Sequence, residues 1–252
     1  MAKLNVFSAS YNSNVYAKYC IESVKAQTVC PDRHFYIDDG STDNTRSELQ
    51  PYIDNPTVHP SLFITLTSER FYKLRNLYNF VQTLDDDEIV CVLDGDDWLA
   101  TPDALEKIQK AYEDSAIDYV YTNWVYSHNG ESGISRSIPD LNWNPYTGAW
   151  ITSAMSTFRA GVFKEISESN FLRRDGNWFT MACDQAYVLP ILWYLRKRDG
   201  DYGAVKFIDE ELYTYQFLHN PSKLRHGEEN TARAEDAAKS SEFIRTRGFL
   251  EQ

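Results

Sequence analysis

The sequence has few cysteines, no long apolar run and no excess of basic residues, and each absence excludes a class of protein. No apolar stretch approaches the roughly 20 residues that a membrane helix needs, so we expect no transmembrane segment. A formal net charge of -12 disfavours nucleic acid as a partner, because proteins that bind it normally show a basic face. The four cysteines include no Cys-x-x-Cys pair, which argues against a zinc site and suits a reducing compartment: Cys20, Cys30, Cys91 and Cys183.

The first residues, Met1–Asn5, enter a predicted strand directly, so we expect no signal peptide and a cytoplasmic location. The chain has 252 residues, which is enough for one large α/β domain with or without an appendage. No internal repeat or linker divides the sequence.

Strand and helix patterns alternate through the first half of the chain. Apolar runs predict strands at 4–8, 34–38, 62–67, 88–93 and 118–123. Helical spacing predicts helices at 15–27, at 69–84, and after Thr101 as a cap with Pro102 in the first position. This alternation is typical of a mostly parallel, doubly wound sheet. Later segments predict a loop at 127–148, a helix at 184–196, strands at 204–208 and 212–217, and a helix at 231–247.

The most informative motif follows the apolar run Ile89–Leu93 and reads Asp94-Gly95-Asp96-Asp97. A buried strand that ends in this way brings like charges to one point, which is unfavourable unless a positive charge balances them. A hard divalent cation prefers such oxygen ligands and usually accompanies a phosphate-bearing substrate. The alternative is an acidic, solvated turn.

Two further polar segments are predicted at the ends of strands. The first strand leads into Tyr11, and the second ends in a turn that contains Asp39. Because open parallel sheets bind ligands beyond the carboxyl ends of their strands, these segments should converge with the acidic motif. A nucleobase could stack on Tyr11 and donate a hydrogen bond to Asp39. The alternative for the second segment is an ordinary turn with a helix cap.

Taken together, these segments resemble family 2 glycosyltransferases, which are inverting enzymes with a GT-A fold. The resemblance rests on residues 5–12, 23–28 and 37–45, on Arg75-Asn76 before the fourth strand, and on the Asp-x-Asp-Asp pattern of 93–99. It covers residues 3–123 and continues to about 222. It implies a Rossmann-like, mostly parallel central sheet flanked by helices, with a C-terminal acceptor-side region. The implied division is a GT-A domain at 1–222, with a nucleotide-sugar half at 1–123 and an acceptor-side half at 124–222, and a helical extension at 223–252.

The resemblance also implies a nucleotide-sugar donor, most often UDP-linked, and a divalent cation, Mn²⁺ or Mg²⁺. Tyr11 would flank the base, Asp39 would hold its imide edge, and Asp96 would bind the metal. Lys73 or Arg75 could offset the phosphate charge. The residues assigned to the donor are Ser8, Ala9, Tyr11, Asp39, Lys73, Arg75, Asp94, Gly95 and Asp96. One departure is Ser10, where many members carry Pro.

In the second half, Cys183-Asp184-Gln185 resembles the acidic element that supplies the family's general base, which makes Asp184 the candidate. The alternative for this residue is a helix cap. The segment 213–222 resembles a pattern in which His219 would complete the metal site, although Gln216 stands where Arg is common. The candidates for contact with a carbohydrate or glycoconjugate acceptor are Trp150, Asp175 and Trp178.

The predicted function is therefore inverting, metal-dependent transfer of a sugar to an acceptor hydroxyl. One alternative is a sugar-1-phosphate nucleotidyltransferase, which needs a Gly-rich, basic loop where this chain has residues 10–14. Another is a non-catalytic sugar-nucleotide-binding module, which the loss of Asp96 or Asp184 would favour.

Overall fold

The computed structural model describes residues 2–216 and 228–251. Within these residues, strands and helices alternate through the first 126 residues and then become less regular. The strands are β1 (Leu4–Ser10), β2 (Arg33–Asp38), β3 (Leu62–Leu66), β4 (Ile89–Val92), β5 (Trp98–Leu99), β6 (Tyr119–Tyr126), β7 (Ser156–Arg159) and β8 (Val205–Tyr215). The helices are α1 (Tyr16–Lys25), α2 (Thr45–Asp54), α3 (Lys73–Val81), α4 (Ala104–Ala111), α5 (Ala160–Lys164), α6 (Cys183–Asp199) and α7 (Glu228–Arg247).

All eight strands form one sheet in the order β3-β2-β1-β4-β7-β6-β8-β5. The neighbours β3, β2, β1 and β4 are parallel, as are β6 and β8. β7 runs antiparallel to both β4 and β6, and β5 runs antiparallel to β8. The predicted α/β class with a mostly parallel sheet is therefore confirmed.

The sheet separates two hydrophobic layers, because side chains alternate between its faces along each strand. Val90 and Val92 of β4 point into the layer that contains α3 and α6. Ile89 and Cys91 point into the opposite layer, which contains α1 and α4. Both layers bury β4 completely, which explains its uninterrupted apolar sequence.

Several details differ from the sequence predictions. The segments 204–208 and 212–217 form the single strand β8, whose register to β6 shifts on either side of Asn123. Helix α4 starts at Ala104 after Asp103, so Thr101 is not its cap. The sequence also gave no signal for α2, a polar helix with Pro51 inside it, since its weak apolar pattern resembles that of a loop.

Helix α7 packs against α6 and against the loop that contains Tyr146 and Gly148. Ile244 is fully buried in the core, and Arg245 Nη1 donates to the carbonyl oxygens of Tyr146 and Gly148 at 3.1 and 2.9 Å. The predicted boundary at 222/223 lies outside the described residues, so the division of the chain stays a prediction. No helix in the described part of the chain is long and apolar enough to cross a membrane.

Candidate active site

The carboxyl ends of β1, β2 and β4 meet at one rim, as predicted. The Asp39 amide donates to the carbonyl of Ser10 at 2.8 Å, and the Gly95 amide donates to the carbonyl of Ala9 at 3.1 Å. These two bonds tie the turns after β2 and β4 to the end of β1. Ser8 lies deeper in β1, where its buried hydroxyl is 3.0 Å from His34 Nε2.

Gly95 allows the acidic turn to lie directly on β1. A Cβ atom at this position would lie 2.6 Å from Ser10 Cβ, which is closer than real contacts allow, and 3.1 Å from the backbone of Ala9, which is a tight contact. The Tyr36 hydroxyl donates to the Gly95 carbonyl at 2.7 Å and holds the turn from below. A side chain at 95 would therefore displace the acidic residues on either side of it.

Asp39 is almost fully buried and fixes the start of α3. Its carboxylate accepts hydrogen bonds from the amides of Phe71 and Tyr72 at 2.8 and 2.7 Å and from Asn76 Nδ2 at 2.9 Å. These bonds stabilise Tyr72 in an unusual backbone conformation, with a positive φ of 65°, immediately before Lys73. Asp39, the candidate hydrogen-bond acceptor for the nucleobase, therefore also positions Lys73. The sequence contained Asn76 in its Arg-Asn pair but did not reveal this contact.

Arg70 covers Tyr11, the predicted stacking partner of the base. Its guanidinium carbon lies 3.7 Å from the centre of the Tyr11 ring and 4.5 Å from that of Tyr72. Partial burial lowers the pKa of Arg70 from its usual value. No sequence pattern pointed to Arg70, since Tyr11 and Arg70 meet only through the fold. Arg75, by contrast, has an exposed side chain over Phe71 at 4.9 Å.

The acidic motif forms a compact cluster of oxygen atoms. One carboxylate oxygen from each of Asp94, Asp96 and Asp97 lies within 4.8 Å of the others. Asp97 is fully buried and accepts hydrogen bonds from the Tyr213 hydroxyl and, at 2.8 Å, from the Gln216 amide. Asp97 thus anchors the end of β8. An all-oxygen set of this kind fits Mg²⁺ or Mn²⁺.

Lys73 joins the acidic cluster to the candidate base. Its Nζ lies 2.5 Å from Asp94 Oδ1 and 2.7 Å from Asp184 Oδ1. Burial by itself lowers the pKa of Lys73, but the carboxylates of Asp184 and Asp94 outweigh burial and raise that pKa well above its usual value. Lys73 is therefore protonated at neutral pH, and its charge holds the two carboxylates together.

Asp184 lies in the first turn of α6, after Ala182 in a left-handed conformation with φ of 53°. The N-cap of α6 is Ala182 and Asp184 is the second residue of the helix, so the alternative interpretation of Asp184 as the helix cap is wrong. The carboxylate is 54% exposed and can therefore meet a ligand. The positive end of the helix dipole favours a negative charge at this position.

The Lys73 ammonium and the carboxylates of Asp94 and Asp184 border a cavity of about 280 Å³. Its polar side consists of Lys73, Asp94 and Asp184, and its aromatic side consists of side chains from β6 and β8. The other lining residues are Val92, Thr152, Ser153, Ala154, Ser156, Tyr187 and Val188. A ligand in this cavity would contact both the candidate base and the edge of the acidic cluster.

The predicted acceptor-side residues lie elsewhere. Trp178 stacks on Phe171, with ring centres 6.3 Å apart, and Trp150 packs against the same hydrophobic layer. Asp175 is exposed and accepts a hydrogen bond from the Asn177 amide at 3.0 Å. None of these three lines the cavity, and their acceptor role stays a prediction. His219 lies outside the described residues.

Comparison with known proteins gives both sequence and structural relatives. The chain is 29% identical over 241 residues to a chondroitin synthase of Escherichia coli, which covers 95% of this chain and 31% of that protein. It is 27% identical over 162 residues to a hyaluronan synthase of Pasteurella multocida, which covers 64% of this chain and 16% of that protein. The chain thus spans less than a third of the length of these relatives.

Two solved structures share the fold. One is S. aureus TarS 1-349 in complex with UDP-GlcNAc, with a TM-score of 0.60, 16% identity, and coverage of 99% of this chain and 68% of that chain. The other is glucosyl-3-phosphoglycerate synthase from Mycobacterium tuberculosis in complex with Mn²⁺, UDP and glucosyl-3-phosphoglycerate. Its TM-score is 0.58, with 13% identity and coverage of 99% of this chain and 82% of that chain. These likenesses confirm the predicted GT-A fold.

Residues 6–171 match the family described as glycosyl transferase family 2. This range contains the β1, β2 and β4 rim and the whole acidic cluster. With most of its length matched, the chain belongs to glycosyl transferase family 2.

Proposed function

We propose that the chain transfers a sugar from a UDP-linked donor to a hydroxyl group of a glycan or glycoconjugate, with inversion and with a divalent cation. The observation that carries this proposal is the Lys73 ammonium, which bridges Asp94 and Asp184 at the cavity. It joins an acidic cluster suited to a metal-bound diphosphate to an exposed carboxylate suited to proton transfer. The names of the relatives support a glycan as acceptor, and those of two solved structures support a UDP donor.

The donor base would bind at the end of the rim formed by β1 and β2. Tyr11 and Arg70 supply flat surfaces on which a base can stack, and Asp39 supplies an acceptor for its imide N–H. Asp39 makes three hydrogen bonds, and its two oxygens have room for about four. One more donor, such as the N–H of uracil, can therefore be accommodated.

The donor diphosphate would lie at the acidic cluster, where Asp96 would hold the cation and Asp94 would approach the ribose. A bound Mn²⁺ or Mg²⁺ would offset the charge of the leaving diphosphate. His219 stays a predicted further ligand. Among the described residues that line the cavity, Lys73 carries the positive charge beside Asp94.

Asp184 would act as the general base. It would accept the proton of the acceptor hydroxyl while the oxygen attacks the anomeric carbon from the face opposite the diphosphate. Lys73 Nζ lies 2.7 Å from Asp184 Oδ1, so its positive charge lies beside the carboxylate that would accept the proton.

A panel of sugar nucleotides incubated with the protein and Mn²⁺ tests this function without knowledge of the acceptor. We expect slow hydrolysis of a UDP-linked donor, measured as UDP release by chromatography. Tenfold preference for a GDP- or dTDP-linked donor would contradict the uracil assignment, a difference of roughly 1.4 kcal/mol. Binding of UDP without turnover of any donor or acceptor would favour the non-catalytic alternative.

Asp39→Ala should lower UDP affinity about tenfold, roughly 1.4 kcal/mol, because the acceptor for the base is lost. It should also lower the melting temperature, since the amides of Phe71 and Tyr72 lose their partner. Calorimetry with UDP and thermal melting measure the two effects separately. Asn76→Ala is the matched control, because it removes one donor to Asp39 and leaves the carboxylate in place. Equal loss of UDP affinity in both variants would show that Asp39 acts only through the fold.

A further inference from the structure

The aromatic side of the cavity has no role in the function proposed above. It consists of Trp124, Tyr126, Tyr213 and Tyr215, which we call the aromatic wall. These residues lie on the adjacent parallel strands β6 and β8, where Trp124 pairs with Tyr213 and Tyr126 with Tyr215. Because strand side chains alternate with a period of two, all four project from the same face of the sheet.

The rings of the aromatic wall hold one another in place. Trp124 meets Tyr126 at 4.6 Å and 81°, and it meets Tyr215 at 5.4 Å and 61°. Tyr126 and Tyr215 are 5.9 Å apart at 67°. Such edge-to-face contacts are favourable, and the Tyr213 hydroxyl adds a hydrogen bond to Asp97. Trp124 and Tyr213 are buried, whereas Tyr126 and Tyr215 are half-buried and can present ring surface to a ligand.

Buried polar atoms beside the aromatic wall point to a ligand that forms hydrogen bonds. Thr152 is fully buried and lines the cavity, and its Oγ1 has no hydrogen-bond partner among the described residues. Nε1 of Trp124, which is 8% exposed, also has no hydrogen-bond partner among the described residues, although this edge of the indole lies against Gly133. Native structures rarely leave such groups unsatisfied. A cavity that combines aromatic surface, polar groups and a carboxylate suits a ligand with one apolar face and several hydroxyls.

We propose that the aromatic wall binds the terminal sugar ring of the acceptor. The C–H face of the ring would lie on Tyr126 and Tyr215, and a ring hydroxyl would face Asp184 across the cavity. This proposal rests on the proposed function, because Asp184 is needed as the base.

The sheet order distinguishes this ring from the donor base. Tyr11 and Asp39 follow β1 and β2, which lie on one side of β4, whereas β6 and β8 lie on its other side. Asp94 follows β4 and therefore lies between the two regions. A donor with its base at Tyr11 and its diphosphate at the acidic cluster keeps both of these groups off the aromatic wall, so the wall can bind a ring of the second substrate.

Saturation-transfer NMR tests the proposal with simple probes. The probes are methyl glycosides of glucose, galactose, N-acetylglucosamine, N-acetylgalactosamine and glucuronic acid, each added to the protein with UDP and Mn²⁺. At least one should bind the wild-type protein. Tyr215→Ala and Tyr126→Ala should weaken that binding about tenfold, while Tyr215→Phe, which keeps the ring, should change it less than threefold. UDP affinity, measured by calorimetry, should stay within threefold in all three variants.

Two control variants make the result specific. Phe63→Ala removes a ring that is 46% exposed on β3 and should leave glycoside binding unchanged. Trp150→Ala tests the acceptor residue that the sequence predicted, and it should change binding less than Tyr215→Ala. Thermal melting of each variant shows whether it is folded, and Tyr215→Phe gives the answer if an alanine variant is not.

Three results would overturn the proposal. The first is that no glycoside binds the wild-type protein although UDP does. The second is that Trp150→Ala abolishes binding while Tyr215→Ala does not. The third is that Tyr215→Ala removes the affinity difference between UDP and the intact UDP-sugar that the protein accepts as donor, which would assign the aromatic wall to the donor sugar. Failure of UDP itself to bind would instead contradict the proposed function.

Discussion

Asp184→Asn is expected to lower turnover by roughly 10²- to 10⁴-fold, the usual contribution of general acid–base catalysis. The substitution keeps the shape of the side chain but removes the charge that accepts the proton. UDP affinity should stay within about threefold, roughly 0.7 kcal/mol, because the base acts on the acceptor and not on the nucleotide. Steady-state transfer rates and calorimetry with UDP measure these two quantities.

The contact with Lys73 makes this prediction more specific. Since Lys73 bridges Asp94 and Asp184, the asparagine variant leaves the ammonium paired with Asp94 alone, and α6 should remain in place. Asp87→Asn, which changes an exposed acid before the first residue of β4, is the matched control and should keep full activity. A fully active Asp184→Asn variant would show that Asp184 is not the general base and that another residue accepts the proton.

Asp96→Ala is expected to remove the metal-dependent part of UDP binding. Without a cation, the cluster of Asp94, Asp96 and Asp97 repels a bare diphosphate, so wild-type UDP affinity should be weak in EDTA and at least tenfold higher with Mn²⁺. The variant should show the same weak affinity with and without Mn²⁺. Calorimetry in both conditions measures the difference.

Two other acids serve as controls for this experiment. Asp54→Ala, at the exposed end of α2, should leave the manganese effect unchanged. Asp97→Asn should lower the melting temperature, because Asp97 holds the Tyr213 hydroxyl and the Gln216 amide. Equal UDP affinity in EDTA and in Mn²⁺ for the wild-type protein would contradict the metal assignment.

The sequence predicted the rim of the site because each polar motif directly follows an apolar strand. Ile89–Leu93 and the acids after it show this pattern most clearly, and parallel strands bring their carboxyl ends together. The N-terminal half of the fold follows from the same alternation. The antiparallel strand β7 was not predicted, since Ser156–Arg159 is short and three of its four residues are polar.

Contacts between distant segments could not be predicted in this way. Lys73 and Asp184 are 111 positions apart, and their ion pair depends on the orientation of α3 and α6. The contact between Arg70 and Tyr11 depends on the unusual backbone before α3. The alternation Trp124-x-Tyr126 is visible in the sequence, but its pairing with Tyr213-x-Tyr215 is a property of the sheet.

The anomeric configuration of the transferred sugar tests the central claim most directly. The account predicts a product whose new linkage has the configuration opposite to that of the UDP-linked donor, because the acceptor oxygen, deprotonated by Asp184, displaces the diphosphate from the opposite face. The coupling constant of the anomeric proton in the NMR spectrum of the wild-type product gives this configuration. An inverted linkage would support direct displacement, and a retained configuration would contradict it.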